Sequence, residues 1–124
     1  MDILKEIVGK TISRIEGLEV ESQFVDIYFT DNTKLEFTHW QDCCEHVALN
    51  DFELTTSLDK IVGGVINDAR EDVSYGDDDG DGWGTQTWTF YNINTSRGCI
   101  NMRWLGESNG YYSESVDLEL VNTN

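Results

Sequence analysis

Proline is absent from the 124-residue sequence, and basic residues are scarce, with 8 Lys and Arg against 24 Asp and Glu. The lack of proline excludes proline-rich docking segments and cis-proline turns. The formal net charge of −16 and the lack of a basic stripe exclude general nucleic-acid binding and electrostatic attachment to anionic lipid. We therefore expect neither a nucleic acid nor a membrane as a direct partner.

Long apolar runs and a cysteine framework are also missing. No apolar segment approaches membrane-spanning length, and residues 1–6 lack the basic start and apolar stretch of a signal peptide. The 3 cysteines are an odd number, whereas a small secreted domain would carry a paired set. These absences predict a cytoplasmic protein.

The apolar content is sufficient for a folded core despite the charge. Hydrophobic residues make up 39% of the sequence and aromatic residues 11%, including 4 Trp, which argues against intrinsic disorder. A chain of 124 residues is typical of a single domain. We therefore expect one domain over residues 1–124.

Apolar and polar residues alternate along most of the chain, as in strands that bury one face. Short helices are predicted at residues 2–8 and 58–62, and an aspartate-rich loop at 75–84. Strands are predicted at residues 11–15, 24–29, 34–40, 65–73, 86–93, 99–105 and 111–121. The expected fold class is α+β and mainly β: a curved or partly closed antiparallel sheet with one short N-terminal helix and one short central helix.

Potential metal ligands cluster after the predicted third strand. They are His39, Cys43, Cys44, Glu45 and His46. A tight loop that brings His39, Cys43 and His46 together would hold zinc. However, adjacent cysteines point to opposite faces of a strand, which opposes joint metal binding. Three other interpretations stay open: a nucleophilic cysteine beside a histidine, a recognition surface, and a structural loop fixed by polar side chains.

A second candidate site is the aspartate-rich loop. Its acidic residues are Asp77, Asp78, Asp79 and Asp81. Their alternation before Gly82 resembles the first half of a calcium-binding loop, but Trp88 stands where an EF-hand carries its glutamate. The alternatives are a calcium site of another kind and a solvated acidic loop. Seven of the 24 acidic residues lie at 68–81, and their mutual repulsion favours a cation or a basic partner.

Aromatic and polar residues near the C-terminus form a third candidate, a patch that contacts a small molecule or a protein. The proposed binding residues are Arg103, Asn109, Tyr111 and Tyr112. Tyrosine provides contact area at low entropy cost, and arginine provides a planar set of donors. Two further sets share one strand face each and are expected in the core: Trp88 with Phe90, and Ile100 with Met102 and Trp104.

Three sequence blocks occur together in one order along the chain. They are His39-x-Gln41-Asp42-Cys43-Cys44-Glu45, Thr87-Trp88-Thr89-Phe90-Tyr91 and Arg103-Trp104-x-Gly106-Glu107-Ser108-Asn109-Gly110-Tyr111-Tyr112-Ser113-Glu114. In this order and spacing they resemble a family of small, uncharacterised proteins encoded by bacteriophages and prophages. The resemblance covers nearly the whole chain except residues 76–84. It implies a phage-type accessory protein in the bacterial cytoplasm and carries over no catalytic residue.

The charge and the resemblance together favour a non-enzymatic protein that binds and occludes a bacterial host protein with a basic surface. An inhibitor of host defence would present its acidic surface in place of nucleic-acid phosphates. One alternative is a protein that binds or sequesters a small nucleotide-type signal through the patch around Arg103 and Asn109. A further alternative is a metal-dependent enzyme.

Overall fold

The fold consists of strands with two four-residue helices. The computed structural model describes residues 3–39, 45–77, 85–108 and 114–123. The elements are α1 (Ile3–Glu6), β1 (Ile12–Glu16), β2 (Val25–Phe29), β3 (Thr33–Thr38), β4 (His46–Leu54), α2 (Leu58–Ile61), β5 (Ile66–Asp77), β6 (Thr85–Thr95), β7 (Gly98–Ser108) and β8 (Asp117–Asn122). The predicted fold class, mainly β with one short N-terminal helix and one short central helix, is confirmed. Within these ranges, no helix is long and apolar enough to cross a membrane.

The strands form two antiparallel sheets, and neither closes into a barrel. The first sheet has the order β1-β2-β3-β8, and the second has the order β4-β7-β6-β5. Strands β5, β6 and β7 pair in succession, and β4 completes the second sheet by pairing with β7. The expected antiparallel sheet is thus divided in two, and each half buries one face against the other.

The core lies between the two sheets. On β2, Val25, Ile27 and Phe29 are buried, which confirms the predicted alternation. Phe37 of β3 contacts Tyr91 of β6 edge to face, with the ring centroids 4.9 Å apart. This contact joins the inner faces of the two sheets into one apolar cluster.

Strand β6 turns the opposite face to the core from the one predicted. Its buried residues are Thr87, Thr89, Tyr91, Ile93 and Thr95. Trp88 is only partly buried and Phe90 is 38% exposed, so the predicted core position of these two residues is wrong. The neighbouring strand β7 does bury Ile100, Met102 and Trp104, as predicted. Pairing of Tyr91 with Met102 sets which face of β6 turns inward.

Two strands end or begin at other residues than predicted. One of them, β5, is extended by backbone hydrogen bonds rather than by burial of apolar side chains. Strand β5 continues to Asp77, through residues 75–77, which the sequence pattern predicts as part of a loop. Val73 pairs with Thr89 and Tyr75 pairs with Thr87 on β6. Backbone hydrogen bonds therefore keep this polar segment extended without burial, which a hydrophobic pattern does not reveal. At the other end of the chain, β8 begins at Asp117 rather than at residue 111.

Candidate binding face of the second sheet

The face of the second sheet that points away from the core carries two rows of side chains across its four strands. From β4 to β5, the rows are Glu53, Asn101, Asn92 and Arg70, and then Asp51, Arg103, Phe90 and Asp72. We call these residues the outer face. They line an open groove of about 540 Å³. Residues distant in sequence are thus brought side by side by strand register.

Arg103 lies near the centre of the outer face, between a carboxylate and an aromatic ring. Its Nη2 donates a hydrogen bond to Asp51 Oδ2 at 2.5 Å, and its guanidinium lies 5.2 Å from the centroid of the Trp88 ring. Its Nε is buried and has no hydrogen-bond partner among the described residues. A buried donor without a partner is energetically costly, and a movement of the Arg103 side chain toward an acceptor on a bound molecule would relieve this cost.

Two amide side chains and an aromatic ring adjoin Arg103. Asn92 Nδ2 donates to Asn101 Oδ1 across the strands, and Asn94 Nδ2 donates to Asn92 Oδ1 at 3.0 Å. Phe90 stands next to Asn92 on the same face of β6 and is 38% exposed. Amides, a guanidinium and an exposed ring in one groove suit the recognition of planar polar groups.

Acidic side chains outnumber basic ones on the outer face. Arg103 pairs with Asp51, and Arg70 Nε donates to Asp68 Oδ2 at 2.8 Å. Elsewhere in the described chain, ion pairs also engage Lys10, Arg14 and Lys34. Because most of the few cations are matched within the chain, the excess of carboxylates dominates the surface potential.

Arg103 is the predicted binding residue that the structure places on this face. Asp77 is the last residue of β5, where the structure describes its backbone but not its side chain. The other predicted binding residues lie outside the described residues altogether; they are Asp78, Asp79, Asp81, Asn109, Tyr111 and Tyr112. The calcium site at residues 77–81 therefore stays a prediction.

Apart from Arg103, sequence reasoning missed the groove residues on β6 and β7. The hydrophobic pattern places Phe90 in the core and predicts no role for Asn92 and Asn101. A signal was present in β6, where Asn92 and Asn94 alternate with the apolar residues Tyr91 and Ile93. Taking these apolar residues as the buried set would have turned the asparagines and Phe90 outward together.

A second polar cluster, which we call the buried junction, draws residues from all three sequence blocks. Its members are His39, Glu45, Thr87, Ser108 and Glu114. His39 Nδ1 donates to the Ser115 carbonyl oxygen at 2.8 Å, and His39 Nε2 lies 2.9 Å from Glu45 Oε2. Glu114 accepts hydrogen bonds from Thr87 Oγ1 at 2.7 Å and from the Ser108 hydroxyl. The junction therefore ties β6 and β7 to the residues that flank β3, β4 and β8.

The buried junction bears on the predicted zinc site. Both ring nitrogens of His39 face protein oxygens, whereas His46 is exposed on β4. Cys43 lies outside the described residues. In the ranges that the structure describes, no three or more His, Cys, Asp or Glu side chains are arranged to hold a metal ion. The zinc site with Cys43 stays a prediction.

Comparison with known proteins identifies one family. The family model described as a domain of unknown function, DUF7448, matches residues 5–118. The chain belongs to this family. No curated protein and no solved structure matches the chain. The DUF7448 range includes every residue of the outer face and of the buried junction.

Proposed function

We propose that this DUF7448 protein is a non-enzymatic, phage-type accessory protein that binds and occludes a basic protein in the bacterial cytoplasm. The proposal is carried by the outer face, an open groove in which Asp51, Glu53 and Asp72 exceed the two arginines. A nuclease or another nucleic-acid-binding protein of host defence has the matching charge. Its basic groove would accept the acidic chain in place of nucleic-acid phosphates.

Different residues of the outer face would contribute the binding energy and the association rate. Phe90 and Arg103 lie in the inner columns of the two rows, on β6 and β7, and the carboxylates of Glu53, Asp51 and Asp72 lie on the edge strands. Aromatic and arginine side chains near the centre of an interface supply most of its binding energy. Peripheral charges instead raise the association rate and select the partner. Both features suit an inhibitor that must find a basic groove quickly.

Capture of basic host proteins at two salt concentrations tests the proposal. The immobilised chain is incubated with bacterial lysate at about 50 mM and about 500 mM NaCl, since the higher concentration screens exposed charges within a few ångströms. We expect capture at low salt, loss at high salt, and displacement by excess double-stranded DNA. A captured protein that stays bound under both treatments would contradict nucleic-acid mimicry.

A pair of phenylalanine variants tests whether the outer face makes the contact. Phe90→Ala removes the ring from the groove, and Phe24→Ala removes a comparably exposed ring, 47% against 38%, outside the outer face. We expect Phe90→Ala to weaken binding of the captured protein by about tenfold or more. Equal effects of the two variants would place the interface elsewhere.

The groove also favours a second candidate, binding of a small planar molecule. Its volume of about 540 Å³ lies within the range of about 300–1,000 Å³ that is common for ligand sites. The Asn92 and Asn101 amides and the Arg103 guanidinium provide hydrogen-bonding groups beside Phe90. Calorimetry with adenosine and with adenosine triphosphate tests this candidate. Neighbouring carboxylates predict tighter binding of the uncharged nucleoside, and absence of binding to either compound would reject the candidate.

A further inference from the structure

We infer that the basic partner is held as an added strand along the free edge of β5, an inference that rests on the proposed function and specifies the docking mode. Strand β5 lies at the edge of the second sheet. Its first residue is protected, because Ile66 exchanges backbone hydrogen bonds with Gly9 and Lys10. Beyond Ile66, no other described segment forms a backbone hydrogen bond to this edge. We call residues 68–77 of β5 the free edge.

Among the described residues, the free edge is protected by charged side chains but by no proline, covering segment or bulge beyond Asp68. Proteins often protect edges with bulges, proline or a covering segment. Here the register with β6 is continuous from Asp68 to Asp77, and the chain contains no proline. All residues at 71–75 are exposed, including Val73 at 37% and Tyr75 at 80%. The edge therefore offers backbone donors and acceptors together with apolar side chains.

Charge determines which strand can occupy the free edge. Asp68, Glu71 and Asp72 are acidic, and the basic residue Arg70 is already paired with Asp68. Because a second copy of the chain would bring more carboxylates to the same edge, self-pairing is disfavoured. A strand with Lys or Arg at alternate positions would instead place its cations on one face of the edge, opposite Asp72. The occupant is thus an extended basic segment of a host protein.

The two faces of the free edge require different side chains from the added strand. Glu71, Val73 and Tyr75 lie on the face that also carries Tyr91, whose hydroxyl donates to Glu71 Oε2 at 2.7 Å. Asp72 lies on the opposite face, within the outer face groove. An added strand would therefore extend the groove and place apolar residues beside Val73 and Tyr75.

A crevice beside the beginning of the free edge provides further contact area. It has a volume of about 640 Å³, and its apolar wall includes Ile3 and Leu4 of α1 and Leu118 of β8. The carboxylates of Glu71 and Asp117 also line it. An apolar side chain followed by a cation matches this lining. The crevice therefore suits the same kind of segment as the edge, one that is basic and partly apolar.

Hydrogen exchange with two synthetic peptides tests strand addition. The first is a heptapeptide in which lysine and valine alternate, and the second carries proline in place of the central valine, with the same charge. We expect the first peptide to slow amide exchange at residues 72–76, and the proline peptide to bind about tenfold more weakly because it cannot complete the ladder. Equal affinities, or no protection on β5, would overturn the inference.

Two charge variants provide a matched control. Glu71→Gln with Asp72→Asn removes two carboxylates from the free edge, whereas Glu19→Gln with Glu21→Gln removes two exposed carboxylates elsewhere. We expect the first variant to weaken peptide binding about fivefold or more and the second to weaken it less than about twofold. Equal losses would show that net charge alone attracts the peptide, and they would contradict a defined site at the edge.

The outcome also separates docking mode from function. If β5 gains no protection while basic host proteins still bind in a Phe90-dependent manner, edge docking is wrong and the proposed function stands. If the peptide protects β5 and no basic host protein is captured, the edge site stands and the proposed function fails.

Discussion

Glu114 is a buried carboxylate whose two oxygens are bonded by two different strands. Thr87 of β6 donates to Oε1 at 2.7 Å, and Ser108 of β7 donates to Oε2. We predict that Thr87→Val lowers the free energy of unfolding by about 1–3 kcal/mol, because the buried oxygen loses a donor while the side-chain shape is kept. Urea denaturation of the purified variant measures this loss.

Thr89→Val is the matched control for this prediction. Thr89 lies two residues along the same face of β6 and is also buried, but its hydroxyl forms no side-chain hydrogen bond with another described residue. We expect its replacement to change the free energy of unfolding by less than about 0.5 kcal/mol. Equal losses in the two variants would mean that the bond to Glu114 contributes no specific stability.

Asp26 is a second buried carboxylate, and its charge is less well compensated. Burial raises its pKa above the usual range, and Lys34, whose Nζ lies 3.5 Å from Asp26 Oδ2, offsets this only in part. At neutral pH, the folded state therefore carries a charge that burial disfavours. We predict that Asp26→Asn raises the free energy of unfolding at neutral pH.

The advantage of Asp26→Asn depends on pH in one direction. Below the pKa of an unfolded aspartate, the wild-type carboxyl is protonated in both the folded and unfolded states, so the variant gains nothing there. The gain should appear as pH rises through the folded pKa and persist above it. Urea denaturation from about pH 3 to pH 7 measures the difference. A difference that is constant over this range would show that desolvation of the charge is not its cause.

At the scale of the strand, two substitutions test which face of β6 points into the core. Tyr91 is buried, and Phe90 is 38% exposed. We predict that Tyr91→Ala lowers the free energy of unfolding by about 3–5 kcal/mol, since it leaves a cavity in the core. Phe90→Ala should cost about 1 kcal/mol or less. A larger loss of stability for Phe90→Ala than for Tyr91→Ala would show that Phe90 faces the core, as local hydrophobicity suggests.

Local sequence patterns determine the elements better than their pairing. Alternation in Val25, Ile27 and Phe29 locates a strand and its buried face, and both short helices are also recognisable. In β6 the aromatic residues are more hydrophobic than the neighbouring threonines, so the pattern points the wrong face inward. In the second half of β6, Tyr91 and Ile93 alternate with asparagines and indicate the opposite face, and the pairing of Tyr91 with Met102 on β7 decides between the two indications.

The candidate site was harder to predict than the strands, for the same reason. Arg103 is recognisable as a binding residue by its chemistry. Its neighbour Asp51 lies 52 residues away in sequence and meets it only through the register of β4 with β7. A bulge between Leu49 and Asp51 shifts that register. Sequence alone does not reveal such a shift, so the composition of the outer face follows only from the assembled sheet.

At the scale of the whole molecule, the net charge of −16 opposes folding and favours association with a basic partner. Mutual repulsion of carboxylates is relieved when salt screens them. We predict that the melting temperature of the free chain rises as NaCl is increased from about 10 mM to about 500 mM. Calcium chloride at equal ionic strength is the control. Stabilisation beyond that of sodium would indicate a bound cation, for which the acidic residues at 68–81 are the candidates.

Salt should act in opposite directions on the free chain and on its complex. In the complex, the cations of the partner already neutralise the carboxylates, so added salt removes attraction instead of repulsion. We therefore predict that affinity for a captured basic protein falls over the range in which the free chain becomes more stable. Calorimetry of binding and thermal unfolding in the same buffers measure both slopes. If affinity instead rose with salt, apolar contact through Phe90 and Tyr75 would dominate the interface, and the excess of acidic residues would act on solubility alone.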